Sequence, residues 1–206
     1  YDGTTVAPVT LSDNRVAGDS LSLAGTGAFA SKDVGTAKPV NVTGINVTGT
    51  DAGNYTFNTT ATTAADITAR ALTVSATGQN KVYDGTTNAT VTLGDNRVAG
   101  DNLSLAGTAS FLNKNVGTAK TVNVTGINVT GTAAGNYTFN TTATTSADIT
   151  PRALTVGGIG ISRVYDGTTN ASVTPTDNRV AGDVLTLTGT PAFADKHVGT
   201  AKTINI

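Results

Sequence analysis

The sequence predicts an all-β protein built from tandem small β-sandwich domains, and three observations carry that reading. The chain is rich in Thr, Gly, Ala, Asn and Val, holds no Glu and little Lys, Leu or Gln, a balance that favours strands and turns over helices. The pentapeptide Tyr-Asp-Gly-Thr-Thr begins at Tyr1, Tyr83 and Tyr165, at a constant interval of 82 residues. Apolar and polar residues alternate with a period of two along much of each interval, and no segment shows a convincing period of 3.6.

The repeat sets the organisation. Asp13-Asn14-Arg15 recurs as Asp95-Asn96-Arg97 and Asp177-Asn178-Arg179, and Phe29 as Phe111 and Phe193, with no insertion or deletion. Of the 70 residues in 1–70, 57 are identical to those in 83–152. A period of 82 exceeds the 20–50 residues of solenoid repeats and matches a small domain that buries its own core. The strand-like run Ala65–Arg70 passes straight into Ala71-Leu72-Thr73-Val74 with no Gly- or Ser-rich linker, and Pro151 stands at the second junction. These signals divide the chain into 1–70, a first repeat lacking its opening strand, 71–152, a complete repeat, and 153–206, a third repeat that stops partway. Because the sequence opens within a motif, it is expected to be an excerpt of a longer protein.

Within the complete repeat the elements follow in order. Leu72 and Val74 begin the first strand, and Val82 leads into the Tyr83 motif. Val91 and Leu93 carry the next, followed by Leu103 and Leu105, then Phe111. Val122 and Val124 alternate with polar neighbours until Gly126 shifts the phase, and Ile127 and Val129 resume it, which predicts a β-bulge at that glycine. Tyr137 and Phe139 form the last aromatic pair, ahead of Ile149. Gly94-Asp95-Asn96 and Ala99-Gly100-Asp101 supply turns, with room for a single helical turn over 96–100.

The stretch Asp51-Ala52-Gly53-Asn54-Tyr55-Thr56-Phe57 resembles the tyrosine corner of immunoglobulin-like domains, in which a Tyr two residues before the second core cysteine bonds back to the backbone. Phe57 stands at that cysteine position, so packing would replace the disulfide. The resemblance implies an Ig-like β-sandwich; a β-grasp-like repeat is the alternative.

Composition excludes several chemistries. With no Cys there is no disulfide, thiolate site or cysteine nucleophile. A single histidine, His197, takes the place of Asp33 and Asn115 in the other copies and reads as a solvated turn position. No catalytic residue emerges, and the chain is expected not to be an enzyme. A net charge of −1 argues against nucleic acid as a partner, and no apolar run reaches the ~20 residues needed to insert in a membrane.

The carboxylates offer the remaining candidate sites. Asp84, Asp95 and Asp101 are the calcium candidates, as hard oxygen ligands in turns, although their spacing matches no EF-hand loop. Against an ion, Asp84 reads as a cap for the motif turn, with Gly85 at an unusual φ and Tyr83 packing its ring into the core. Arg97 inside the second cluster predicts a salt bridge to one of its neighbouring Asp residues. Lys32, Lys38, Lys114 and Lys120, with Lys196 and Lys202, recur in register and are the candidates for a Lys–Asn or Lys–Asp isopeptide crosslink.

The ordered set "VYDGTT", "AGD-x-L-x-L-x-GT", "VGTAK-x-V-x-V" and "AGNYTFN" resembles the YDG-type and related repeats of large bacterial surface proteins, the filamentous-haemagglutinin-like adhesins. The resemblance covers the whole chain. It implies an extracellular or cell-surface protein in which the repeats form a stalk or fibre, with neighbouring repeats, and other copies in a filament, as partners. A glycan- or self-binding adhesive module is the alternative. No cofactor is implied.

Overall fold

A computed structural model describes all 206 residues, Tyr1 to Ile206. The chain forms sixteen strands, two three-residue 3-10 turns and no α-helix, as an all-β repeat protein requires. In order these are β1 (Val6–Ala7), β2 (Ser22–Phe29), β3 (Gly35–Thr48), β4 (Ala61–Ile67), β5 (Arg70–Leu72), β6 (Ser75–Gln79), β7 (Lys81–Val82) and β8 (Thr90–Gly94). There follow β9 (Ser104–Phe111), β10 (Gly117–Thr130), β11 (Tyr137–Phe139), β12 (Ala143–Thr150), β13 (Val156–Ile161), β14 (Ser172–Asp177), β15 (Ala192–Phe193) and β16 (Ile204–Asn205). The β-grasp alternative wraps its sheet on a helix, and the chain supplies none. The helical turn considered for 96–100 is an irregular turn closed by Asp101 N–H on the Val98 carbonyl at 3.1 Å; the 3-10 turns lie instead at Ala52–Asn54 and Ala134–Asn136.

Two compact units divide the chain, one holding 1–77, 91–109 and 123–145, the other 78–90, 110–122 and 146–206. The boundary runs through the second repeat, so each unit contains one whole junction between successive repeats.

In the first repeat the strands order β1-β2-β3-β4 in one antiparallel sheet. Ala24 pairs with Asn46 and Thr26 with Thr43, so the single Gly25 faces two residues, Gly44 and Ile45. This is the bulge expected from the phase change, and Gly44 and its equivalent Gly126 take φ of +63° and +61°. Only glycine enters that region without a Cβ clash. The payoff is visible in β10, where Val122, Val124, Ile127 and Val129 are all buried although their spacing skips one residue at the bulge.

A second bulge was not legible in the sequence. Gly35 pairs with Ile67 and Lys38 with Ala65, leaving Thr36 and Ala37 opposite the lone Asp66. Ala37, Ala119 and Ala201 sit there at φ +48°, +47° and +50°, a left-handed conformation that L-residues other than glycine take at a cost. Asp66 Oδ1 accepts the Ala37 N–H at 2.7 Å, and Asp148 Oδ1 the Ala119 N–H at 2.8 Å, which pins the strained residue.

The largest core belongs to the second repeat. Leu72, Val74, Leu103, Val124, Ile127, Val129, Ala133 and Tyr137 form one buried cluster, with Val91, Leu93, Leu105 and Phe139 packed against it. Each aliphatic side chain taken from water there contributes roughly 1.5–3 kcal/mol. The β9-β10, β6-β8 and β5-β11 strand groups all feed this one cluster. The repeat closes by pairing its first strands with its last, in parallel: Arg70 with Tyr137 and Leu72 with Phe139, then Lys81 with Ile149 and Val82 with Thr150. Strand β5 therefore starts at Arg70 and straddles the 70/71 boundary drawn from the sequence.

In the third repeat β13 pairs with β14 and β15 with β16, both antiparallel. Val156 and Leu185 are 52% and 43% exposed, against 2% and 8% for their equivalents Val74 and Leu103. The covering residues of the second repeat, Ile127 to Tyr137, have no counterparts within residues 153–206.

Candidate functional site

The motif builds a tight turn before it builds anything else. Thr86 donates both its N–H and its hydroxyl to Asp84 Oδ1, each at 2.9 Å, and Lys81 Nζ reaches the same oxygen at 2.8 Å. Gly85 completes the turn at φ +80°. Hydrogen bonding from Lys81 first, and from the Thr86 N–H next, brings the Asp84 pKa down to about 2. Asp2 and Asp166 cap their own turns in the same way.

The motif tyrosine does not enter the core of its own repeat, as the sequence suggested, but reaches the next one. Tyr1 packs against the buried cluster of the second repeat, and its hydroxyl donates to the Asp101 carboxylate at 2.8 Å. Tyr83 makes the equivalent bond to Asp183, also at 2.8 Å. Each bond spans 100 residues, one full period plus the 18 that separate the motif from the Ala-Gly-Asp turn.

Three further contacts complete the junction. Lys32 Nζ lies 2.9 Å from Asp101, and Lys114 Nζ 3.0 Å from Asp183. Both ammonium groups also sit 5.7 Å from the centre of the adjoining tyrosine ring, so one cation serves the carboxylate and the ring face together. Gly3 and Gly85 are approached so closely that a methyl there would lie 2.6 Å from Val98 Cγ1 and Val180 Cγ1. Glycine is thus needed twice, for its φ and for the contact. At the first junction Asn136 also accepts the Val34 N–H at 2.9 Å and donates to Asp33 at 3.2 Å.

Asp101 is the centre of the better-packed junction. Its side chain is only 1% exposed, and Tyr137 of its own repeat donates to it at 2.6 Å while accepting the Val98 N–H at 2.9 Å. Burial pushes its pKa up, but the hydrogen bonds from Tyr137, Lys32 and Tyr1 outweigh that and bring it to about 2. Burial and the Asp101 hydrogen bond raise both phenols above their ordinary value. Asp183 is lowered by Tyr83 first and Lys114 next. The tyrosine-corner expectation holds in one respect, since the Tyr137 hydroxyl bonds backbone upstream; the carboxylate beside it was not anticipated.

The three calcium candidates stand apart. Asp84 caps the motif turn, Asp101 holds the junction, and Asp95 receives Arg97 Nε at 2.8 Å. Arg97 also donates to the Leu103 carbonyl at 2.8 Å, tying the turn to the start of β9. No three His, Cys, Asp or Glu side chains come together as a metal-ion cluster. Of the recurrent lysines, Lys32 and Lys114 serve the junctions, while Lys120 Nζ lies 2.7 Å from Asn113 Oδ1 within its repeat. His197 is exposed, its N–H bonded to Asp195 at 2.7 Å.

Equivalent Tyr–Asp and Lys–Asp contacts recur at both junctions, and the chain is a tandem array of small all-β modules. The chain belongs to the YDG domain family, whose sequence model matches residues 1–64, 68–146 and 150–206. The second and third matches begin three residues before the boundaries read from strand alternation. No curated protein and no solved structure matches the chain.

Proposed function

We propose that this chain is a structural segment of a bacterial extracellular adhesin or matrix protein, in which tandem β-domains act as a stiff spacer rather than as an enzyme. The observation that carries this reading is the repeated junction: Tyr83 and Lys114 converge on Asp183 as Tyr1 and Lys32 converge on Asp101. A joint made of short, charge-assisted hydrogen bonds, with a glycine–valine contact beside them, restricts bending far more than a free linker does. Only Thr68 and Ala69 separate β4 from β5, which leaves little chain to flex.

The aromatic residues favour a spacer over a glycan-binding surface. In the complete repeat Phe111 and Tyr137 are buried, Phe139 is partly buried against the core, and the Tyr83 hydroxyl is engaged by Asp183, so no open aromatic platform is left for a sugar ring. An extracellular or surface location and partnership with neighbouring repeats follow from the resemblance of the motifs to surface-protein repeats.

Small-angle scattering on two- and four-repeat versions tests the proposal. A spacer gives a maximum dimension that grows by a constant step per repeat. A dimension that grows much more slowly, as for a chain of freely jointed domains, would sink it.

A further inference from the structure

Tyr1 and Tyr137, from successive repeats, form the one tyrosine ring pair in the chain, with centroids 5.4 Å apart and planes at 74°. Both hydroxyls donate to Asp101, Tyr1 at 2.8 Å and Tyr137 at 2.6 Å to the same oxygen, so the two phenol oxygens lie side by side. The chain contains no Cys, Met or Trp, the residues that ordinarily absorb oxidising equivalents. Its five tyrosines are therefore its most readily oxidised side chains.

We propose that this pair is an oxidative crosslinking site, at which a dityrosine bond welds one repeat to the next. The co-reactant is a peroxide acting through a haem peroxidase or an equivalent one-electron oxidant. Each phenol gives up one electron and its hydroxyl proton, which leaves through the Asp101 carboxylate already holding it. The two phenoxyl radicals join by a carbon–carbon bond between ring positions ortho to the hydroxyls, and the two displaced ring protons return to the oxygens. The sum is two phenols and one hydrogen peroxide giving one biphenol and two waters. Fixed proximity makes the coupling effectively unimolecular, which favours it over collision between chains. The inference is independent of the spacer reading, because it concerns chemistry at one junction and not the length of an array.

The test is peroxidase and hydrogen peroxide acting on the dilute 206-residue chain, followed by tryptic mapping. Cleavage after Arg15, Lys120 and Arg152 puts Tyr1 and Tyr137 on separate peptides, each with no other tyrosine. The expected result is dityrosine fluorescence, a monomer lighter by two hydrogens, and a linked pair of 1–15 with 121–152. Tyr1→Phe removes that pair and leaves the fold intact, as circular dichroism checks, and Tyr165→Phe leaves the pair in place. Exposure predicts a different product, because Tyr165 is 58% exposed and Tyr137 only 6%. Chains joined to one another through Tyr165, a pair that survives Tyr1→Phe, or no linked tyrosines at all would each overturn the proposal.

Discussion

The hydroxyl of Tyr83 donates to the carboxylate of Asp183 at 2.8 Å, joining the motif of the second repeat to a turn of the third. Tyr1 and Asp101 make the same bond one repeat earlier. The motif that looks like a small reactive site is thus half of a joint, whose other half is the Ala-Gly-Asp turn of the following domain.

Removing only the hydroxyl tests that bond. Tyr83→Phe keeps the ring under Lys114 and deletes the donor to Asp183, which still has Lys114 at 3.0 Å. The expected cost is about 1 kcal/mol. It falls locally, so hydrogen exchange at the Asp183 amide, which closes the turn onto the Val180 carbonyl at 3.1 Å, should accelerate.

Glycine–valine contact at the joint makes a second prediction. Gly85→Ala places a methyl 2.6 Å from Val180 Cγ1 on a residue held at φ +80°. Both strains oppose it, and a loss of roughly 2 kcal/mol is expected. Val180→Ala in the same chain should recover part of that loss by relieving the clash, the φ strain remaining. A double-mutant cycle in denaturant unfolding that shows no coupling would mean the two residues do not meet.

Left-handed alanine provides a gain rather than a loss. At φ +47°, Ala119 carries about 1–2 kcal/mol of strain that glycine does not. Glycine returns about 0.4–1 kcal/mol of that through the freer unfolded chain. Ala119→Gly should therefore stabilise by about 0.5 kcal/mol, seen as a higher denaturation midpoint. Asp148→Ala, which removes the carboxylate under the Ala119 N–H, should destabilise by about 1 kcal/mol.

Acid should open the first junction. Asp101 has its pKa lowered from 3.8 to about 2, so its carboxylate stabilises the fold at any pH above 3.8. That contribution is lost as pH falls through about 2, because the folded state then takes up the proton it had resisted. Stability should be flat in this term near neutrality and decline between pH 3.8 and about 2. In Asp101→Asn, an acid titration of intrinsic tyrosine fluorescence should show a smaller limb, the remainder belonging to capped carboxylates such as Asp84. A limb near pH 6 instead would point away from a carboxylate.

Much of the fold was legible in the sequence, and the site was legible only in pieces. Period-two alternation located the strands through Val91–Leu93, Val122–Val129 and Tyr137–Phe139, and the phase change at Gly126 located a bulge that Gly44 shares. The Asp84 cap and the Asp95–Arg97 pair were also readable, because each closes within two residues and local spacing decides it. The polar strand β6, Ser75–Gln79, was missed, since only one of its residues, Ala76, is apolar and alternation had nothing to mark. The left-handed alanine was missed for a different reason. Alanine carries no turn signature, and its φ is imposed by the mismatch of two residues against Asp66 on the neighbouring strand.

The sequence by itself determined the repeat, its period and the inward and outward faces of its strands, because those depend on spacing along one chain. It left open where the motif tyrosine goes. In an array of near-identical copies Asp19 and Asp101 are the same residue by pattern, and nothing local distinguishes them as partners for Tyr1. Tertiary structure made the choice. The strands that close the second repeat bring Asp101 into a buried pocket beside Tyr137, where its charge needs donors and the neighbouring repeat supplies two, Tyr1 and Lys32.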